Sequence, residues 1–169
     1  AERRSLPALH VRIGIGPALI LGDYLILRAF SILQELHHVY GQERMHEASH
    51  AFNSYAQSCC LGELHELQPT GSGNLEDEYL TIVRGKTASQ FAAAVTLPAI
   101  VGGGTSEEID ALQTYGLNVG IAFQIQDDVL DIVGDAEALR KPAGTGLVKV
   151  RLLLPLIYLE RYGSAAALR

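Results

Sequence analysis

Cysteine is almost missing from this chain: Cys59 and Cys60 are the whole complement, and they are adjacent. Neighbouring cysteines rarely bridge, so neither a disulfide framework nor a metal-binding cysteine spacing is available. An intracellular, reducing compartment, the cytoplasm, is expected. No uninterrupted apolar run reaches the roughly 18 residues that span a bilayer, so no transmembrane segment is expected. No signal peptide is expected from the opening Ala1-Glu2-Arg3-Arg4. An initiating methionine is lacking too, and the chain reads as a possible fragment. Basic patches are scarce: with a net charge of -6, no stripe of cations stands ready to neutralise nucleic-acid phosphates. A small phosphorylated ligand is not excluded, since a few placed cations suffice for one. Alternating β-branched stretches are absent, which argues against a sheet.

What is present is Ala, Leu, Ile, Glu and Gln at helical spacing. The length of 169 residues, 48% of them hydrophobic, fits one core-forming domain. The pattern predicts an all-α bundle of six or seven helices. The first spans residues 16 to 39, with Pro17 in its first turn, and the second spans 42 to 68. Residues 69 to 74 form a loop by composition. A third helix starts near Leu75 and continues past Lys86, with Pro98 as its stop or kink. Gly102, Gly103 and Gly104 break the chain. Thr105 and Glu108 then form a capping-box signature for a helix over 106 to 133, which could divide near Gly116 or Gly120. Residues 141 to 150 read as a loop, and a last apolar helix begins at Leu152.

The strongest chemistry lies in residues 120–133. At about 100° per residue, Gln124, Asp127, Asp128 and Asp131 fall within an arc of roughly 100°, with Gly120 and Asp135 in the same arc. Apart from Gln126 the remaining circumference is apolar, so this helix is expected to be buried on most sides. Three carboxylates on one cavity-facing stripe would repel each other and call for cations. Carboxylates completed by water and phosphate oxygens suit magnesium. An ordinary solvated acidic face is the alternative that spacing alone leaves open. His37, His38, His46, His50 and His65 lack the spacing of a zinc helix and read as surface or capping residues.

Residues 123–131, Phe-Gln-Ile-Gln-Asp-Asp-Val-Leu-Asp, resemble the second aspartate-rich motif of the trans-isoprenyl diphosphate synthases, the polyprenyl synthetase family. Other stretches resemble the same family. Residues 2–10 look like the arginine pair and the Pro and His that follow its first aspartate-rich motif, with Ser5 replacing a glycine. Residues 22–25 resemble its Gly-Asp-x-Leu, with Asp23 structural. Residues 60–67 look like its small-residue helix, with Glu63 and Glu66 structural or supporting. Residues 76–88 resemble its Lys-Thr motif, and residues 141–155 its Gly-Lys-Pro segment.

The resemblance implies an isoprenoid-synthase helical bundle around a central cavity, one partial domain over residues 1–169. It implies a magnesium-dependent prenyltransferase that joins isopentenyl diphosphate to an allylic prenyl diphosphate. Magnesium, up to three ions in the family site, would be held by Asp127, Asp128 and Asp131. Catalytic roles fall to Lys86, Thr87, Gln124, Asp127, Asp128 and Lys141. Substrate contacts fall to Arg3, Arg4, Lys86, Thr87, Phe123, Gln124, Lys141 and Arg151. A lone lysine or a terminal arginine pair would otherwise be solvated surface.

Departures are also visible. No Asp-Asp-x-x-Asp precedes Arg3, and the family's final helices are not found after Arg169. Gly146 stands where the family has aspartate, Val150 where it has glycine, and Arg151 where it has lysine. A catalytically impaired partner or regulatory subunit is therefore the alternative. A terpene cyclase would carry a different second metal motif, and a purely structural bundle is the last alternative. A homodimer is the expected assembly, with a heteromer as the alternative.

Overall fold

The computed structural model describes residues 2–3, 6–68, 73–133 and 153–163. The chain opens with a minimal antiparallel pair, β1 (Glu2–Arg3) and β2 (Leu6–Pro7), with Glu2 opposite Pro7 and Arg3 opposite Leu6. This pairing, which the sequence did not signal, is the only sheet among the described residues. Everything else described is helix or short connection, as expected for an all-α fold.

The N-terminal helical stretch is more broken than its periodicity predicts. Helix α1 (Leu9–Ile13) precedes α2 (Ile15–Glu35), and α3 (His37–Tyr40) follows. The break between α1 and α2 falls at Gly14, whose φ of +91° lies in the left-handed region that glycine enters without a Cβ penalty. Helix α4 (Gln42–Glu66) matches the second expected helix to within its frayed end.

The third expected helix is three elements in line. Helix α5 (Leu75–Val83) gives way to a π-helical turn (Arg84–Ala88), and α6 (Ser89–Gly102) continues. Asn74 caps α5: its Oδ1 accepts from the Glu76 backbone N–H at 3.2 Å. Glu76, Asp77 and Glu78 fill the first turn, where the helix dipole favours negative charge. Pro98 neither stops nor ends α6, because both flanks are held by packing: Thr96 and Ile100 are buried. Helix α7 (Ser106–Val133) begins with the expected capping box, and runs through Gly116 and Gly120 without dividing. Thr105 N–H donates to Glu108 Oε2 at 2.8 Å, while Glu108 N–H donates to Thr105 Oγ1 at 3.3 Å. Helix α8 (Leu154–Tyr162) is moored to α5 by Tyr158, whose hydroxyl donates to Glu76 at 2.9 Å.

Two apolar clusters form the core. Met45 and Ala48 of α4 meet Ile100 of α6, joined by Leu33, Leu36 and Ile109. Tyr79 and Val83 of α5 meet Ile157 of α8, joined by Ile121 and Ile125 of α7. Helix α7 thus touches both clusters.

One expectation needs correcting. Helix α7 is not buried on most sides: Phe123, Val129, Leu130 and Val133 are exposed, while Gly116, Gly120 and Asp128 are its buried residues. The stretch from Ile15 to Tyr40 is, by length and composition, long and apolar enough to cross a membrane, and no residue of it is buried. Asp23 and Arg28 interrupt the apolar run without removing its overall apolar character. One end of α2 does pack: Phe30 meets Phe52 of α4 edge-on at 4.8 Å.

Candidate active site

Lys86 and Thr87 sit in the π turn, where an i→i+5 widening re-aims consecutive side chains. Backbone contact clamps this turn from two sides. A Cβ placed on Gly62 of α4 would lie 2.2 Å from the Lys86 nitrogen, and one on Gly120 of α7 would lie 2.5 Å from the Ala88 Cα. Only glycine allows both helices to approach so closely. The Lys86 carbonyl accepts from Gln90 Nε2 at 2.8 Å and from Cys59 Sγ at 3.4 Å. Burial raises the Cys59 thiol above its ordinary pKa, which keeps it protonated and able to donate.

The Lys86 ammonium reaches α4. Its Nζ lies 2.6 Å from Glu66 Oε2 and 3.4 Å from Glu63 Oε2. Lys86 and Glu66 are each 18% exposed at the side chain. At that depth screening by water is partial, and the ammonium can still be reached by an incoming anion.

Thr87 points the other way, into α7. Its hydroxyl donates to Gln124 Oε1 at 2.7 Å. Gln124 Nε2 donates to Asp128 Oδ1 at 2.8 Å. Asp128 Oδ2 accepts from the Tyr79 hydroxyl at 2.7 Å. Asp128 is 6% exposed and Tyr79 2%. Burial first, and the bond to the Asp128 carboxylate second, push the Tyr79 phenol well above its ordinary pKa, so it remains a donor at any physiological pH.

These side chains line one recess: Glu66, Tyr79, Lys86, Thr87, Gln124 and Asp128. Its free volume is about 20 Å³, room for about one water. A ligand as large as a diphosphate would therefore lie at its rim. A separate apolar cavity of about 680 Å³, lined by Ile26, Phe30, Phe52 and Leu61 among others, also reaches Cys59 and Gln90, the residues on the Lys86 carbonyl.

The fold thus gathers four of the residues singled out from the sequence, Lys86, Thr87, Gln124 and Asp128. Asp127 and Asp131 lie one turn apart on α7 and are half-buried, more open than Asp128. No group of three His, Cys, Asp or Glu side chains converges as a metal site among the described residues. Asp128 turns inward to Tyr79. Phe123 is exposed and faces Phe91, with ring centroids 5.1 Å apart, rather than the recess. Arg3 is placed in β1 by its backbone alone. Arg4, Lys141, Gly146, Val150, Arg151 and Asp135, with the 141–150 loop, lie outside the described residues, as does most of the 69–74 loop.

Tyr79 was not singled out by the sequence reading, and Glu63 and Glu66 were assigned only structural or supporting roles. A signal for Tyr79 existed: it precedes Lys86 by seven residues, two helical turns, within an apolar stretch, and a buried tyrosine hydroxyl needs a partner.

Known proteins of similar sequence and similar fold identify the family. The family described as "Polyprenyl synthetase" matches residues 1–167. The chain is 36% identical over 159 residues to a short chain isoprenyl diphosphate synthase of Methanothermobacter thermautotrophicus, covering 92% of this chain and 47% of that protein. It superimposes on the geranylgeranyl pyrophosphate synthetase of Pyrococcus horikoshii with a TM-score of 0.85 and 30% identity, over 98% of this chain and 50% of that one. A polyprenyl synthase of Caulobacter crescentus, solved with calcium and isoprenyl diphosphate, gives a TM-score of 0.83 at 32% identity, covering 97% and 48%. The chain spans about half the length of the curated relatives it matches. On the family match along nearly its whole length, this chain belongs to the polyprenyl synthetase family.

Proposed function

We propose that the protein is a prenyltransferase that condenses isopentenyl diphosphate with an allylic prenyl diphosphate to give a longer polyprenyl diphosphate. The observation that carries this reading is the meeting of Lys86 and Thr87, from the Lys-Thr segment, with Gln124 and Asp128, from the aspartate-rich segment, around one recess.

The donor set fits magnesium. Asp127 and Asp131 offer carboxylate oxygens one helical turn apart, and magnesium is commonly held by one or two carboxylates with water and substrate phosphates completing its shell. Bound there, magnesium would neutralise charge that develops on a departing diphosphate. Asp128 is proposed to support that pair from the buried side.

The chain's own residues supply the rest. The Lys86 ammonium exchanges Glu63 and Glu66 for the allylic diphosphate at the rim, and stays bonded as the carbon–oxygen bond breaks and its electrons leave with the diphosphate. The double bond of isopentenyl diphosphate attacks the allylic cation, and the proton lost afterwards passes to the released diphosphate. The apolar cavity beside the π turn accommodates the prenyl chain and keeps water from the cation. Arg3, Arg4, Lys141 and Arg151 are proposed as further diphosphate contacts, and Phe123 as lining the chain's path.

We further propose a cytoplasmic homodimer in which a second copy covers the exposed apolar side of α2. The free thiols Cys59 and Cys60 fit that compartment.

The test uses the protein at its full encoded length, with magnesium, labelled isopentenyl diphosphate and allylic primers of increasing length. Extractable prenyl products that disappear with chelator, and in Asp127→Ala, are expected. Absence of product from every primer, with the helical fold intact, would overturn the reading.

A further inference from the structure

We infer that Tyr79 is a positioning residue of this site: from a different helix, its hydroxyl fixes the Asp128 carboxylate and, through it, the direction of the Gln124 amide and the Thr87 hydroxyl. The inference rests on the functional reading above and adds a residue to it.

The geometry is a chain of three hydrogen bonds across three elements. Tyr79 of α5 donates to Asp128 at 2.7 Å, Gln124 donates to the other oxygen of Asp128 at 2.8 Å, and Thr87 of the π turn donates to Gln124 at 2.7 Å. The direction of each bond is forced by the one before it. A tyrosine hydroxyl facing a carboxylate must donate. A carboxylate accepts only, so the Gln124 group turned to Asp128 must be the NH₂. That leaves the Gln124 carbonyl towards Thr87, and Thr87 must donate to it. The oxygen lone pairs of Thr87, rather than its proton, then remain for other partners.

Removing the Tyr79 hydroxyl unties the first link. The Asp128 carboxylate then loses one of the bonds that hold its orientation, and the Gln124 amide that donates to it is held less firmly. A buried network of this kind is coupled more strongly than its separate pairs. Tyr79 lines the same recess as Lys86 and Thr87. Its effect on a ligand at the rim is therefore transmitted through the Asp128, Gln124 and Thr87 side chains.

The experiment is a double-mutant cycle on the full-length protein, with Tyr79→Phe and Thr87→Val. Affinity for inorganic pyrophosphate in magnesium chloride is read by calorimetry, alongside melting temperature. Tyr79→Phe is expected to weaken pyrophosphate about tenfold in the wild-type background and by less than about twofold when Thr87 is already Val. A purely structural tyrosine would lower the melting temperature and give losses that multiply, or no loss of affinity, and either result overturns the inference. If Tyr79→Phe does not fold, Asp128→Asn cuts the same chain in a near-isosteric way, and its coupling to Thr87→Val is read identically. Failure of the wild-type protein to bind magnesium pyrophosphate at all would instead overturn the functional reading, and this inference with it.

Discussion

The π turn and helix α2 lie at opposite extremes of contact within one chain. The turn is gripped by glycines on both sides, its carbonyls and side chains tied to α4, α6 and α7. Helix α2 is more than twice as long as α5 and contains no buried residue, with Leu19 66% and Ile20 70% exposed. Helical periodicity is present in both. The difference is what lies across from each helix, and it shows that apolarity draws a segment inward only when a partner surface exists to receive it.

The sharpest way to break that contrast is a glycine swap. Gly62→Ala places a Cβ on the backbone of Lys86 and should destabilise the fold by about 1–3 kcal/mol or more. Gly22→Ala in α2 meets nothing within 4 Å and should stabilise by up to about 1 kcal/mol, the ordinary gain of alanine over glycine inside a helix. Urea denaturation of the two variants measures both. Equal effects would mean that the two helices are not in different environments.

A second experiment probes what covers α2. Leu19→Glu should leave the melting temperature of the folded chain within a few degrees, since the side chain is largely exposed. The same change should convert a homodimer to a monomer in sedimentation, because it sets like charges on either side of an apolar interface. A sedimentation coefficient that does not move would remove α2 from the assembly.

The smallest expected effect is on alkaline stability. The Tyr79 pKa is raised in the folded state, so the neutral phenol is favoured there. Its contribution is fully present below the unfolded phenol pKa of about 10. Above that pH the unfolded state sheds the proton while the folded state keeps it, and stability falls as pH rises. Melting curves between about pH 9 and 11 should therefore decline less steeply in Tyr79→Phe than in the wild type.

Local signals in the sequence translated faithfully. The capping box of Thr105 and Glu108 joins residues only three apart in the chain, so no distant element could alter it. Lys86, Thr87, Gln124 and Asp128 were marked by family resemblance, and the fold brings them to one recess. The π turn escaped notice because it adds its widening inside a stretch whose residues all favour helix. The openness of the outer α7 face escaped notice too, because an apolar circumference says that burial is favourable without saying what supplies it.

The acidic stripe draws the line most clearly. At 3.6 residues per turn, sequence alone determined that Gln124, Asp127, Asp128 and Asp131 share one side of a helix. Which carboxylate turns inward was settled by Tyr79, 49 residues earlier in the chain and on another helix. The pairing of Lys86 with Glu66 was likewise settled by Gly62, which lets α4 approach the π turn. Helical periodicity is a property of neighbours along the chain, whereas burial, hydrogen-bond partner and charge partner belong to neighbours in space.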